Sequence, residues 1–236
     1  LGNDREATQY LSLVKSIADE MGSFVLRYME RILESKFQFD QGRDEAAQRA
    51  LKEAFAIGRG KGLYFSPWWI PTTMARLCTK ALEADIEVEY VQNLIRKTHL
   101  VPDDHASASE AWPWPVKIYT LGRFEIFVDG KLLPSRRKAS YGVLTLLKAM
   151  IAMGCQDIPT SRLIDALWPD AEGDTGEETF RKTLQRLRRL LNHDSLIQVR
   201  EGKVSLNRQV CWVDAMVFQS LLSGMNDSKP RQAQSD

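Results

Sequence analysis

Histidine and cysteine are scarce in this chain, three of each in 236 residues. Cys78, Cys155 and Cys211 lie far apart and none belongs to a CxxC pair. That count and scatter do not suit a disulfide framework; they predict buried thiols and a reducing, cytoplasmic setting. His99, His105 and His193 have no metal-ligand spacing with cysteine or carboxylate, so no metal site is expected. Asp103-Asp104 beside His105 reads as a solvated turn. GxSxG, HExxH and the Gly-rich phosphate loop are all missing, so neither catalysis nor ATP binding nor any other cofactor is expected. There is also no run of about 18 apolar residues, the length a membrane span needs. The opening LGNDREATQY is too polar for a signal peptide and lacks an initiator Met, which suggests a piece of a longer protein.

What is present is an ordinary globular composition, 44% hydrophobic and 27% charged, in a chain long enough for two domains. The net charge of +1 says nothing of nucleic acid, but its distribution does. Residues 1–115 carry 14 Lys/Arg against 17 Asp/Glu, and residues 116–236 carry 18 against 14. From Arg181 to Arg189 there are five cations (Arg181, Lys182, Arg186, Arg188, Arg189) and no acid. Concentrated positive charge is what a DNA-binding face needs, because phosphate neutralisation supplies the sequence-independent part of the affinity.

Residues 1–100 read as helices. Leu11, Val14, Ile17, Ala18 and Met21 recur at helical spacing, as do Val25, Met29, Ile32 and Leu33. Asp44 is placed to N-cap a third helix with the small-residue face Ala47, Ala50, Leu51, Ala54 and Phe55. Met74 to Ala81 and Val88 to Ile95 mark two more. Helix pairs of this length with short turns suit an α-solenoid of tetratricopeptide-like (TPR-like) type. Residues 101–115 (VPDDHASASEAWPWP) have no period and read as a Pro/Trp linker. Trp112 and Trp114 there, each followed by proline, cannot be helical and are expected to pack onto a domain.

From Val116 the pattern changes to strands. Ile118–Thr120 is β-prone, and Phe124 to Val128 turns through Asp129-Gly130 into Lys131-Leu132-Leu133. Helices are predicted over 136–153, closed by Gly154, and over 161–167, stopped by Trp168-Pro169. Thr175 and Glu178 have capping-box spacing and announce a third helix over 176–191. Two β-prone runs, 196–199 and 204–206, flank Arg200-Glu201-Gly202-Lys203 as a second hairpin. An amphipathic stretch over 213–222 leads into a polar tail, 223–236, expected to be disordered.

On a helical wheel Leu184, Leu187 and Leu191 fall within about 40° of Phe180 and form one apolar stripe with it. Lys182, Gln185, Arg186 and Arg189 fall opposite, with Arg181 and Arg188 at the flanks. Arg pairs bidentately with guanine, Gln with adenine and Lys with phosphate. Three helices, the last one basic, followed by a hairpin with a cationic tip is winged-helix order. In that order the third helix enters the major groove and the wing reaches the adjacent backbone or minor groove.

KIYTLGRFEIFVDGKLL, DALWPD, TFRKTLQRLRRLL and GKVSLNRQVCWVDAMVF, in that order, resemble the OmpR/PhoB-type winged helix, most closely the variant in SARP-type bacterial transcriptional activators with a BTAD-like region. The resemblance covers about 105 residues. Together with the helical array (1–100) and the linker (101–115) read above, it implies an α + α/β two-domain chain ending in a winged-helix domain (116–222) with a leading antiparallel sheet. It places Arg181, Lys182, Gln185, Arg186 and Arg189 on the recognition helix and Arg200 and Lys203 in the wing. Gly202-Lys203-Val204 departs from the Gly-Tyr pair usual in the wing of response regulators, and the family's activator region often continues well past residue 218. MARLCTKALEADIEVEYVQNLIRKTHLVP before WPWPVKIYTLGRFE is similar to the junction in MalT-like multidomain regulators, where an ATPase and a helical sensor precede the DNA reader. The implied partners are double-stranded DNA, RNA polymerase and upstream ATPase and sensor domains, with no membrane. The competing reading is a protein–protein interaction module without DNA binding, for which the charge of the third helix has no use.

Overall fold

The computed structural model describes residues 4–67, 69–102, 109–134, 141–171 and 174–227. Asp103, Asp104 and His105, and the start of the helix expected from Arg136, lie outside these. The chain is mixed α and β, and it divides into two compact units, 1–113 and 114–236.

Unit 1 is helical among its described residues: α1 (Asp4–Glu20), α2 (Phe24–Asp40), α3 (Asp44–Lys61), α4 (Pro71–Glu83) and α5 (Val88–Thr98). Each helix packs on its neighbour in sequence, and α2 also meets α4 and α3 meets α5. The small-residue face of α3 is what lets α2 approach: Ala47, Ala50, Leu51, Ala54 and Phe55 are all buried. Asp44 is not the N-cap; that position is Arg43, which makes no side-chain capping bond, and Asp44 and Glu45 fill the acidic first turn, where they face the helix dipole. A buried tyrosine pair closes this core. The Tyr90 hydroxyl donates to the Leu63 carbonyl, and Gly58 leaves the space that the Tyr90 and Tyr28 rings fill. The segment expected as a linker is not uniformly exposed. Gln92 Nε2 donates to the Ala111 carbonyl (3.0 Å), Trp112 is buried at the end of unit 1, and Trp114 is buried at the start of unit 2.

Unit 2 begins with β1 (Val116–Tyr119), β2 (Glu125–Val128) and β3 (Lys131–Leu132). Then come α6 (Tyr141–Ala152), β4 (Ile158–Pro159), α7 (Thr160–Leu167) and α8 (Asp174–Leu191). After a 3-10 turn at Asp194–Leu196 the chain forms β5 (Ile197–Arg200), β6 (Lys203–Leu206), β7 (Cys211–Val213) and α9 (Asp214–Asp227). One sheet has the order β3-β2-β1-β7 and the other β4-β6-β5. Both hairpins turn in two residues with positive φ, Asp129-Gly130 (49°, 77°) and Glu201-Gly202 (50°, 71°), the backbone that suits the twist of paired strands.

The leading sheet is not purely antiparallel. β7 joins it parallel to β1, with Val116 opposite Cys211 and Ile118 opposite Val213. All three β7 residues are buried, so a short apolar run that carries no alternation becomes a strand. Two further expectations are corrected. Thr175 lies inside α8, which starts at Asp174, and Glu178 pairs with Lys182, so there is no capping box between Thr175 and Glu178. Residues 223–227 are the last turn of α9 and not tail, because Asp214 anchors that helix; the tail from 228 lies outside the described residues. β4 was not expected either, being two residues long. A single hydrophobic core joins both sheets to the three helices, with Ile118, Leu147, Leu163, Leu187, Ile197 and Val204 among its buried members.

Candidate nucleic-acid interface

The apolar stripe of α8 is the root of the site. Phe180, Leu184, Leu187 and Leu191 are buried in the core, which fixes the roll of the helix and turns the opposite side to solvent. Arg181, Lys182, Gln185, Arg186 and Arg189 are all exposed there. They are not equivalent. Lys182 Nζ pairs with Glu178 at 2.6 Å, and that bond, together with the lysine's charge, holds the Glu178 carboxyl below its ordinary value. Among the described residues Arg186 and Arg189 have no salt bridge, and Arg181 acts on Glu178 through its charge. The sequence run without acids therefore hides one intrahelical partner, supplied from the turn before it.

Arg188 has a different role from its neighbours. Its Nη2 donates to the Ile197 carbonyl (2.8 Å), clamping α8 to the first residue of β5, and its Nε is buried. Beyond the C-terminal end of the helix, His193 Nε2 meets Asp129 Oδ1 at 3.1 Å, which ties the turn of the first hairpin to the second residue after α8. At the other end Gly176 passes Ile164 so closely that a Cβ would stand 2.7 Å from its Cγ2. Thus α8 is held against β5, the leading hairpin and α7, and its outer face is presented by a rigid support.

Arg200 and Lys203 are paired across the second hairpin and exposed on either side of its turn. The tip is held down. Thr160, the first residue of α7, donates both its backbone N–H (2.8 Å) and its hydroxyl (2.7 Å) to the Gly202 carbonyl. β4 adds the pairs Ile158–Val204 and Pro159–Lys203, so β6 is the central strand of a three-stranded sheet and the hairpin is not a free loop. Proline fits at Pro159 because β4 pairs on one side only.

Asp214 was missed from sequence, although it secures the chain's return after the hairpin. Its carboxylate accepts from the Thr120 N–H and hydroxyl, the Leu121 N–H and its own neighbour Ala215 N–H, at 2.7 to 2.9 Å. Burial alone would raise its pKa, but the Thr120 hydroxyl and the backbone donors outweigh this and hold it below the usual carboxylate range. An aspartate directly after an apolar strand and before a helical run is the signal that could have found it.

The three thiols are buried and unpaired, and burial pushes Cys155 up to about 11 and Cys78 and Cys211 higher still. Among the described residues no three His, Cys, Asp or Glu side chains come together as metal ligands. No helix among them is long and apolar enough to cross a membrane. In comparisons with known proteins, no family model matches this chain, and no curated protein or solved structure matches it significantly.

Proposed function

We propose that unit 2 is a winged-helix domain that binds double-stranded DNA in a sequence-selective manner. In this reading α8 enters the major groove and the β5–β6 hairpin lies on the adjacent backbone or minor groove. The observation that carries it is the pairing of two supported cationic elements in one unit. One is a helix whose roll is fixed by Phe180, Leu184, Leu187 and Leu191; the other is a hairpin whose tip is pinned by Thr160. Gln185 and Arg186 are the base-reading residues, since amide and guanidinium groups match adenine and guanine edges. Lys182, Arg189 and Lys203 serve phosphates, and Arg200 and Arg181 add charge at the flanks.

The particular role we assign is transcriptional regulation, with activation favoured by the resemblance to OmpR/PhoB-type and SARP-type bacterial activators. Unit 1 would then be the end of a TPR-like sensor array. Its contacts between nearest and next-nearest helices support that reading, because solenoids are built from such local packing. RNA polymerase and upstream ATPase and sensor domains are the partners that go with it.

Binding to a randomised duplex library tests the assignment of roles. Gln185→Ala and Arg186→Ala should change which sequence is preferred, and Lys203→Ala should weaken all sequences alike. Equal losses at every sequence for all three variants would remove base reading by α8.

A second reading, a protein-interaction module, is favoured by one observation on unit 1. Tyr10, Leu13 and Ile17 along α1, with Met21 just after it, make an exposed apolar stripe, the kind of surface that protein partners cover. It concerns unit 1 and is compatible with DNA binding by unit 2.

A further inference from the structure

The β5–β6 hairpin has two faces, and one of them is polar and concave. Strand alternation sends Ile197, Val204 and Leu206 into the core. The cross-strand pairs Gln198–Ser205 and Arg200–Lys203 fall on the other side. That side is the floor of a cleft of about 410 Å³. Gln156 and Asp157 form one wall, on the β4 side, and Arg208 and Gln209 form the other, from the turn after β6.

Charge is unbalanced in this cleft. Arg200, Lys203 and Arg208 all line it, against the single carboxylate of Asp157, and among the described residues none of the three cations has a salt bridge. The walls are also preorganised. Gln156 Nε2 donates to the Leu206 carbonyl (2.8 Å), the Asp157 N–H to Ser205 Oγ (2.8 Å), and Asn207 Nδ2 to the Ser195 carbonyl (3.2 Å). Asn207 Oδ1 in turn accepts from the Gln209 N–H (3.0 Å), which stiffens the turn that carries Arg208. Uncompensated cations and amides converging on a rigid polar concavity suit a phosphate group, with its double negative charge and acceptor oxygens.

We propose that this cleft is a phosphate-binding site in which Arg208 is a contact residue. On DNA it takes a backbone phosphate beyond those reached by α8, so it rests on the DNA-binding reading for that source; a free phosphate is the other source of the same chemistry. The site extends from Arg200 and Lys203 to Arg208, and Gln156, which lies more than forty residues before the hairpin in sequence, shares it only through the fold.

The test uses the full chain with Arg208→Ala and Asp157→Asn. Asn tolerates the left-handed backbone of Asp157 (φ 48°), so the second variant removes charge without strain. Duplex affinity is measured by fluorescence anisotropy across a salt series. In parallel, the side-chain amide signals of Gln156, Gln198 and Gln209 are followed by NMR during titration with inorganic phosphate. The expected result is a several-fold loss and a salt slope shallower by about one for Arg208→Ala, with several-fold tighter binding for Asp157→Asn. If the duplex results do not change but phosphate shifts the three amides in the parent and not in Arg208→Ala, the site stands with free phosphate as its ligand. Unchanged duplex binding together with unmoved amides overturns it. Loss on Arg208→Ala with no loss on Lys182→Ala, Arg186→Ala and Arg189→Ala would keep this cleft and refute the role given to α8.

Discussion

Thr160 donates two hydrogen bonds, from its backbone and its hydroxyl, to the one carbonyl of Gly202, so the first residue of α7 holds the tip of the second hairpin in place. This fixes Arg200 and Lys203 relative to the helices before any ligand arrives, and lowers the ordering cost of binding. Thr160→Val keeps the shape and the backbone bond but removes the hydroxyl donor. It should cost about 0.5–1.5 kcal/mol of stability in urea denaturation. Duplex affinity should fall several-fold for every sequence alike, as measured by anisotropy on two unrelated duplexes, because the hairpin positions and does not read bases.

Arg188 and Arg189 are adjacent, yet the structure gives them separate tasks. Arg188→Ala removes the bond to the Ile197 carbonyl and should destabilise unit 2 by about 1–3 kcal/mol, seen as a lower midpoint in thermal denaturation. Arg189→Ala takes away an exposed side chain and should stay within about 0.5 kcal/mol of the parent. Its effect should appear in DNA binding alone. Equal stability losses in the two variants would contradict the division.

Gly176→Ala tests how tightly α7 and α8 are packed. Alanine is the better helix former, but its Cβ would press on Ile164 Cγ2, a stiff β-branched side chain. A net cost of about 1–3 kcal/mol is expected, with weaker duplex binding as α8 shifts. Ile164→Ala in the same chain should recover part of the loss, giving a strongly non-additive double-mutant cycle in denaturation experiments.

Stability in acid should depend on Asp214. Its carboxyl titrates lower in the folded chain than in the unfolded one, because the Thr120 hydroxyl and the backbone donors outweigh burial, so its stabilisation is in force at neutral pH and is lost as the pH falls through the depressed folded value. Asp214→Asn should be less stable than the parent at pH 7 and should lose less on acidification. Denaturation midpoints taken from pH 7 to pH 3 check both; parallel curves would contradict the role of the carboxylate.

Legibility from sequence followed the length and regularity of the signal. The α8 seam could be read because Phe180, Leu184, Leu187 and Leu191 repeat over several turns, and the first hairpin because Asp129-Gly130 has a local backbone requirement. β4 and β7 could not be read, since two- and three-residue strands have no period and exist only through Val204 and Val116, which lie far along the chain. The start of α8 was misjudged for a related reason. Thr175 and Glu178 have the spacing of a cap, but Glu178 finds a stronger partner in Lys182 four residues on. In the candidate site, residue type and helical face showed which cations are outward. Only the folded structure shows that Arg188 is a clamp, that Lys182 is already paired, and that Arg208 shares a cleft with Gln198.

The most direct measurement is duplex affinity as a function of salt for the parent and for the variant carrying Lys182→Ala, Arg186→Ala and Arg189→Ala. If α8 is the element that meets DNA, the parent binds with a steep negative slope of log affinity on log salt. The triple variant should then bind at least tenfold more weakly with a slope shallower by about two to three. Unchanged affinity in the triple variant, or parent binding without any salt slope, would contradict DNA recognition by this helix.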